Sequence, residues 1–358
     1  MTLFTDGSPA RDQAPTGLPV DWSLAARTAA RLMPGGPTIS PSEARRAVEL
    51  LRSDAATAEG HVRTLTGLGA GLPLLPADVV DRPSWAAAAI EGMTVLTSSA
   101  RLPEMPAMAR AVTERTAGLQ TGAVLAYLGS RVLGQYDPFG GPDREGRLLL
   151  VAPNIVAAQG ALDVSLADFS MWVCLHEATH RLQFTAVPWL RSYFADQVAE
   201  FLSAAETSVM GMLDRLPAAL ASARGGGDGL GLLELLQSPE QRAVLDRLLA
   251  LTTLLEGHAD HVMDAVGPSV VPSVETIRAR FTERRRSGGP FDWLLRALLG
   301  VEAKVRQYAV GSAFTRAVVD EVGMAGFNTV WTSADTLPTR AELAEPGLWL
   351  IRVAPTPV

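Results

Sequence analysis

A chain of 358 residues, 47% of them hydrophobic, has the length for one large domain or two modest ones and the apolar content for a substantial core. A formal net charge of -7 argues against general nucleic-acid binding, and the single cysteine, Cys174, excludes an internal disulfide framework. The opening MTLFTDGSPARDQAPTG lacks the basic stretch and apolar run of a secretory signal, and no apolar run reaches the roughly 18–20 residues of a membrane span, so a soluble cytoplasmic protein is expected.

Alanine and leucine are abundant and aromatic residues few, a balance that favours helices over sheets. Residues 1–18 are polar and read as a flexible lead-in. Helical periodicity starts near Asp21 with DWSLAARTAARLM. After GGPT comes TISPSEARRAVELLR, where Ser40 can cap, Pro41 suits the first helical position and Glu43 completes a capping box. GLPLLPADVVDRP reads as a connector, and Asp81 with Pro83 opens a further helix through SWAAAAIEGM. Residues 19–120 are thus expected to form a helical N-terminal lobe and 121–358 a second domain, or the two together one continuous domain.

TGAVLAYLGSRVLGQ (121–135) reads as an apolar helix and YDPFGGPDREG as a turn-rich loop. The run LLLV, stopped by Pro153, suits a short buried or edge strand. Ser165 and Asp168 form an S-x-x-D box for a helix that ends before Pro188. RGGGDGLG at 224–231 is a loop tip, and one long helix or two run from Ser238 through LLEGHADHVMD. RARFTERRR, with Arg278, Arg280, Arg284, Arg285 and Arg286, reads as a solvated helix end. A last helix is expected over roughly 291–323, and short extended pieces close the chain.

The chemistry concentrates in WVCLHEATHRLQF, residues 172–184. Residues four apart share a helix face, so His176 and His180 can direct two imidazole nitrogens at one metal. Glu177 is turned about 100° from His176. It can reach a metal-bound water without being used up as a ligand, the arrangement of the H-E-x-x-H zinc hydrolases. Zinc would lower the pKa of that water, and Glu177 would take its proton and pass it to the leaving amine. The flanking Phe169, Trp172, Val173, Leu182 and Phe184 predict a largely buried helix, in which polar groups need partners. Cys174, on roughly the opposite side from His176, reads as a core residue.

A catalytic zinc takes three protein ligands and keeps one position open. The chain has five histidines: His61, His176, His180, His258 and His261. A third histidine close to the motif is excluded, because Gln183 and Ala186 occupy the positions that H-E-x-x-H-x-x-G-x-x-H would need. In LLEGHADHVMD, Glu256 and Asp260 again share a face. Glu256 is the expected third ligand, and Asp260 is expected to accept a hydrogen bond from the far nitrogen of His176. His258 and His261 remain alternatives as ligands. The candidate donors to a tetrahedral oxyanion are His258, Tyr308, His261 and Lys304, the only lysine in the chain. The strand before the motif helix could pair with an extended substrate, and Asn154 could anchor the substrate backbone.

The block WVCLHEATHRLQFTAVPWLR, with GSRVLGQYDPF before it and LLEGHADHVMD after it, resembles an actinobacterial zincin-like metallopeptidase family. Members are often labelled as associated with deazaflavin-coenzyme biosynthesis. The resemblance runs from DWSLAARTAARLM to the closing WLIRV. It implies a mainly α, zincin-like fold with a few short strands beside the active-site helix. It also implies Zn2+ on His176, His180 and Glu256, with Glu177 as base. The expected activity is zinc-dependent hydrolysis of a peptide bond. Two other readings are a hydrolase of a small amide or glutamyl substrate and a non-catalytic zinc-containing scaffold. A peptide or small amide is the expected partner, with no nucleic acid and no membrane, and the sequence does not fix an oligomeric state.

Overall fold

The computed structural model describes residues 17–101, 105–142, 145–204, 239–286 and 301–353; of these, the side chains of 204, 284–286 and 301–309 lie outside the description. The fold is mainly helical. Helices α1 (Trp22–Leu32) and α2 (Pro41–Thr66) lead into a four-residue strand β1 (Ala77–Val80), followed by α3 (Arg82–Thr97) and α4 (Ala107–Gly129). Strands β2 (Gly134–Asp137) and β3 (Arg147–Val151) come next, then α5 (Ala152–Leu162), the motif helix α6 (Leu166–Thr185) and α7 (Leu190–Ala204). The glutamate helix α8 spans Pro239–Val266, α9 Val274–Arg286 and α10 Val301–Phe327, which is broken at Gly323 (φ 69°). Two short helices, α11 (Arg340–Ala344) and α12 (Pro346–Val353), close the chain. None of the described helices is long and apolar enough to cross a membrane.

The caps follow from local chemistry. The Ser40 hydroxyl accepts from the Glu43 amide at 3.2 Å and Glu43 Oε2 accepts from the Ser40 amide at 2.8 Å, satisfying two of the donors that a helix start leaves free. Asp81 caps α3 through the Ser84 amide. Ser165 caps α6, but Asp168 does not complete a box there. Its carboxylate accepts from the Ser273 amide and hydroxyl and fastens α6 to the start of α9.

The sheet order is β1-β3-β2, with β1 parallel to β3 (Ala77 opposite Leu148) and β2 antiparallel to it (Gly134 opposite Leu150). The strand expected as a possible substrate partner, β3, is therefore the central one and has no free edge. Because successive side chains alternate faces, Leu150 enters the cluster formed by α2 and α6, while Leu149 and Val151 enter the cluster of α1, α3 and α4. That two-sided burial explains the unbroken apolar run. Along α6, Val173, Cys174, Ala178 and Leu182 pack with Leu51, Ala55, Ala58 and Val62 of α2. The helix α8 runs between two cores: Leu251, Leu254 and Leu255 join α10 and the C-terminal helices, whereas Val262 and Met263 join α6. Glu256 lies between them.

Two expectations are corrected. The stretch at 121–135 is not helical throughout, since α4 ends at Gly129 and Gly134 and Gln135 already belong to β2. The C-terminal segment is helical rather than extended, because Thr339 and Glu342 form a reciprocal capping box and Pro346 opens a further short helix.

Candidate metal centre

The helix α6 presents His176 and His180 toward Glu256 on α8. The two histidine Nε2 atoms are 3.1 Å apart, and Glu256 Oε2 lies 3.4 Å from that of His176 and 3.7 Å from that of His180. Three ligand atoms held at bonding distance from one tetrahedral zinc would be spaced roughly 3.3 Å apart, so the triangle has the dimensions of a coordination face. Glu256 Oε2 is itself buried without a hydrogen-bond partner, a state that is costly for a carboxylate unless a cation faces it. Among the described residues no other group of three His, Cys, Asp or Glu side chains converges in this way.

The electrostatics agree with the donor set. Burial works to raise the Glu256 carboxyl, but the two imidazoles beside it outweigh burial and hold it well below the ordinary carboxylate range. Burial works to lower His180, yet the carboxylates of Glu256 and Glu177 overcome it and push the ring up to about 9. The centre thus attracts positive charge, which protons or a divalent cation can supply.

Glu177 is 6% exposed and sits beside the triangle. Burial pushes its carboxyl above the ordinary value, against the pull of His176 and His180 and, more weakly, of the nearby Tyr136 backbone amide. The edge strand β2 passes so close that a Cβ on Gly134 would stand 2.6 Å from Glu177 Cγ and 2.9 Å from Oε1.

A family profile described as zincin-like metallopeptidase matches residues 20–350. The chain belongs to the zincin-like metallopeptidase family. Among solved structures it is similar to a crystal structure of a proposed hydrolase with a novel fold from Chloroflexus aurantiacus. The two share 31% identity with a TM-score of 0.64, over 93% of this chain and 98% of that one. No curated protein matches the chain.

Several expected residues of this zincin-like centre sit elsewhere. His258, expected as a catalytic donor or alternative ligand, is fully buried on the far side of α8. It lies two positions, and so about 200°, from Glu256. Its ring stacks on Phe327 with centroids 5.2 Å apart, Nδ1 bonds the Gln183 amide, and burial pushes its pKa down to about 3. His261 is half-buried beside Arg316 and Asp264, away from the triangle. Asp260 does not bond His176. Its carboxylate and backbone carbonyl face Arg278 of α9, and Met263 Sδ, seven residues from Glu256 on the same face, occupies the place at 3.3 Å from His176 Nδ1. The side chains of Tyr308 and Lys304 lie outside the described residues.

Asn154 is a structural clip rather than a substrate anchor. Its amide donates to the carbonyls of Gly129 and Val132, and its oxygen accepts from Arg82. Cys174 is fully buried, as expected, and burial pushes its thiol far above the ordinary value. Two neighbours of the centre have no counterpart among the expected residues: Gly134, which leaves room for Glu177, and Gln183, which lies buried behind His180. Position 183 is three residues past His180, and that spacing alone could have suggested a contact.

Proposed function

We propose that the protein is a zinc-dependent metallopeptidase whose metal is held by His176, His180 and Glu256 and whose general base is Glu177. The convergence of two imidazole nitrogens and an otherwise unpartnered carboxylate oxygen, with a second buried carboxylate alongside, carries this reading. Bound there, zinc would acidify a water and polarise the scissile carbonyl.

The chain's own residues supply the remainder. Glu177 is kept off the metal by its rotation on α6 and lies close against Gly134 of β2. Burial brings its carboxyl closer to the pKa of an effective base at neutral pH, one that can take a proton from the attacking water and return it to the departing amine. The side chains of His176, His180 and Glu256 keep part of their surface open to solvent, which leaves a route for substrate. β2 lies at the sheet edge beside Glu177 and replaces β3 as the strand along which an extended peptide can pair.

Purified protein handled without chelators should contain about one zinc per chain, as a single three-ligand site requires. Elemental analysis finding none refutes the proposal. Glu177→Gln should keep the zinc and lose at least roughly a hundredfold in turnover, the lower range for removing a general base. Undiminished turnover in that variant would remove Glu177 from its role. A screen of peptide libraries beside glutamyl and other small amides identifies the substrate class.

A further inference from the structure

Gln183 is fully buried one turn beyond His180, and its amide makes three contacts. Its nitrogen lies 2.9 Å from the Leu255 carbonyl and 3.0 Å from His258 Nδ1, while its oxygen lies 2.9 Å from His180 Nδ1. A backbone carbonyl only accepts, so the nitrogen end of the amide must face Leu255. The oxygen end must then face His180. An amide oxygen also only accepts, which places the proton of a neutral His180 on Nδ1 and its lone pair on Nε2, the atom that enters the triangle. The second amide hydrogen finds its acceptor at His258, so the amide has no flipped arrangement that satisfies all three partners.

The two histidines are held unequally. His176 Nδ1 meets only the thioether of Met263, a weak acceptor. Leu255 is the residue before Glu256, so the same amide also joins the motif helix to the backbone next to the third ligand atom.

We propose that Gln183 is a positioning residue of the metal centre: it selects the His180 tautomer that offers Nε2 to the metal and sets α6 in register with Glu256. The proposal rests on the reading of the triangle as a zinc site.

The test is zinc affinity, measured with zinc alone by competition against a chromophoric chelator, alongside the thermal midpoint of the metal-free protein. Gln183→Met should weaken zinc roughly 10- to 100-fold, the usual effect of losing such a partner. Gln183→Glu keeps an acceptor for His180 but turns an oxygen toward Leu255 and His258. Its affinity should return to within about tenfold of wild type, while its metal-free midpoint stays at or below that of the methionine variant. Wild-type affinity in Gln183→Met, or affinities that follow metal-free stability instead of the acceptor, overturn the proposal. Should Gln183→Met not fold, Gln183→Asn serves, because its amide stops one carbon short of His180. Wild-type affinity there overturns the proposal equally. Failure of the wild-type chain to bind zinc removes the metal reading and this proposal together, whereas zinc binding equal in all variants removes this proposal alone.

Discussion

The placement of Glu177 depends on an atom that is missing from its neighbour. β2 cannot retreat, because Gly134 is paired with Leu150 of the central strand, so a side chain at 134 must displace the flexible carboxylate instead. Gly134→Ala should therefore lose roughly 10- to 100-fold in turnover, the range for a catalytic group shifted by about 1 Å. Zinc content and thermal midpoint should stay near wild type. Steady-state kinetics combined with metal analysis checks this, and a variant that lost zinc and turnover together would place Gly134's role in the metal site instead. His258 makes a different kind of claim. Its folded pKa of about 3 lies below the unfolded value of about 6.5, so the unfolded chain binds the extra proton between these limits. Its contribution to stability is intact above pH 6.5 and is lost as the pH falls toward 3. Between pH 6.5 and 5 the loss should be about 2 kcal/mol. Urea unfolding at several pH values should show that slope in wild type and a flatter one in His258→Phe, and equal slopes would contradict it.

At the scale of elements, the centre depends on how closely α8 approaches α10. A Cβ on Gly257 would collide with the backbone of Gly311, and one on Gly311 with the Thr253 carbonyl. A glycine inside a helix costs about 1 kcal/mol relative to alanine, and here the close crossing explains its presence. Since the obstructing atoms are backbone, Gly311→Ala must push the helices apart next to Glu256. About 1–3 kcal/mol of stability should be lost, as for other overpacked interiors, and zinc affinity should fall with it. Denaturation and zinc titration of the same variant test both, and unchanged affinity would show that Glu256 is positioned independently of the crossing.

What could be read from the sequence divides along the same line of local against distant chemistry. The caps at Ser40, Asp81 and Ser165 and the pair His176 and His180 depend on spacings of three or four residues and were readable. β1 and β2 have four residues each, and they exist because distant β3 pairs with them, so the apolar run ending in GQ reads locally as helix. Spacing along its own helix points Asp260 toward His176, whereas Arg278, from the next helix, decides where its carboxylate faces. The rotation of His258 away from Glu256 was, by contrast, available from the helical repeat alone.

For the whole molecule, the question is whether the metal holds the fold together or only completes a site. The helices α6 and α8 meet through apolar contacts at Val262 and Met263 and through the Gln183 amide, none of which needs an ion. A second buried network fastens α6 to the N-terminal half. Glu59, 1% exposed, pairs with Arg181 and Arg63, and these two guanidinium groups bind the carbonyls of Gly69, Leu72, Pro73, Leu75 and Pro76. The metal-free chain should therefore keep its helical circular-dichroism signal and a cooperative melt. Zinc at a hundred times its dissociation constant should add about 2.7 kcal/mol, a rise in midpoint on the order of 5 °C for a chain of this size. Chelation that abolished the helical signal at room temperature would instead make the ion structural, as in small domains that unfold without zinc. That outcome would favour a zinc-containing scaffold over a hydrolase, so calorimetry with and without chelator separates the two before any substrate is known.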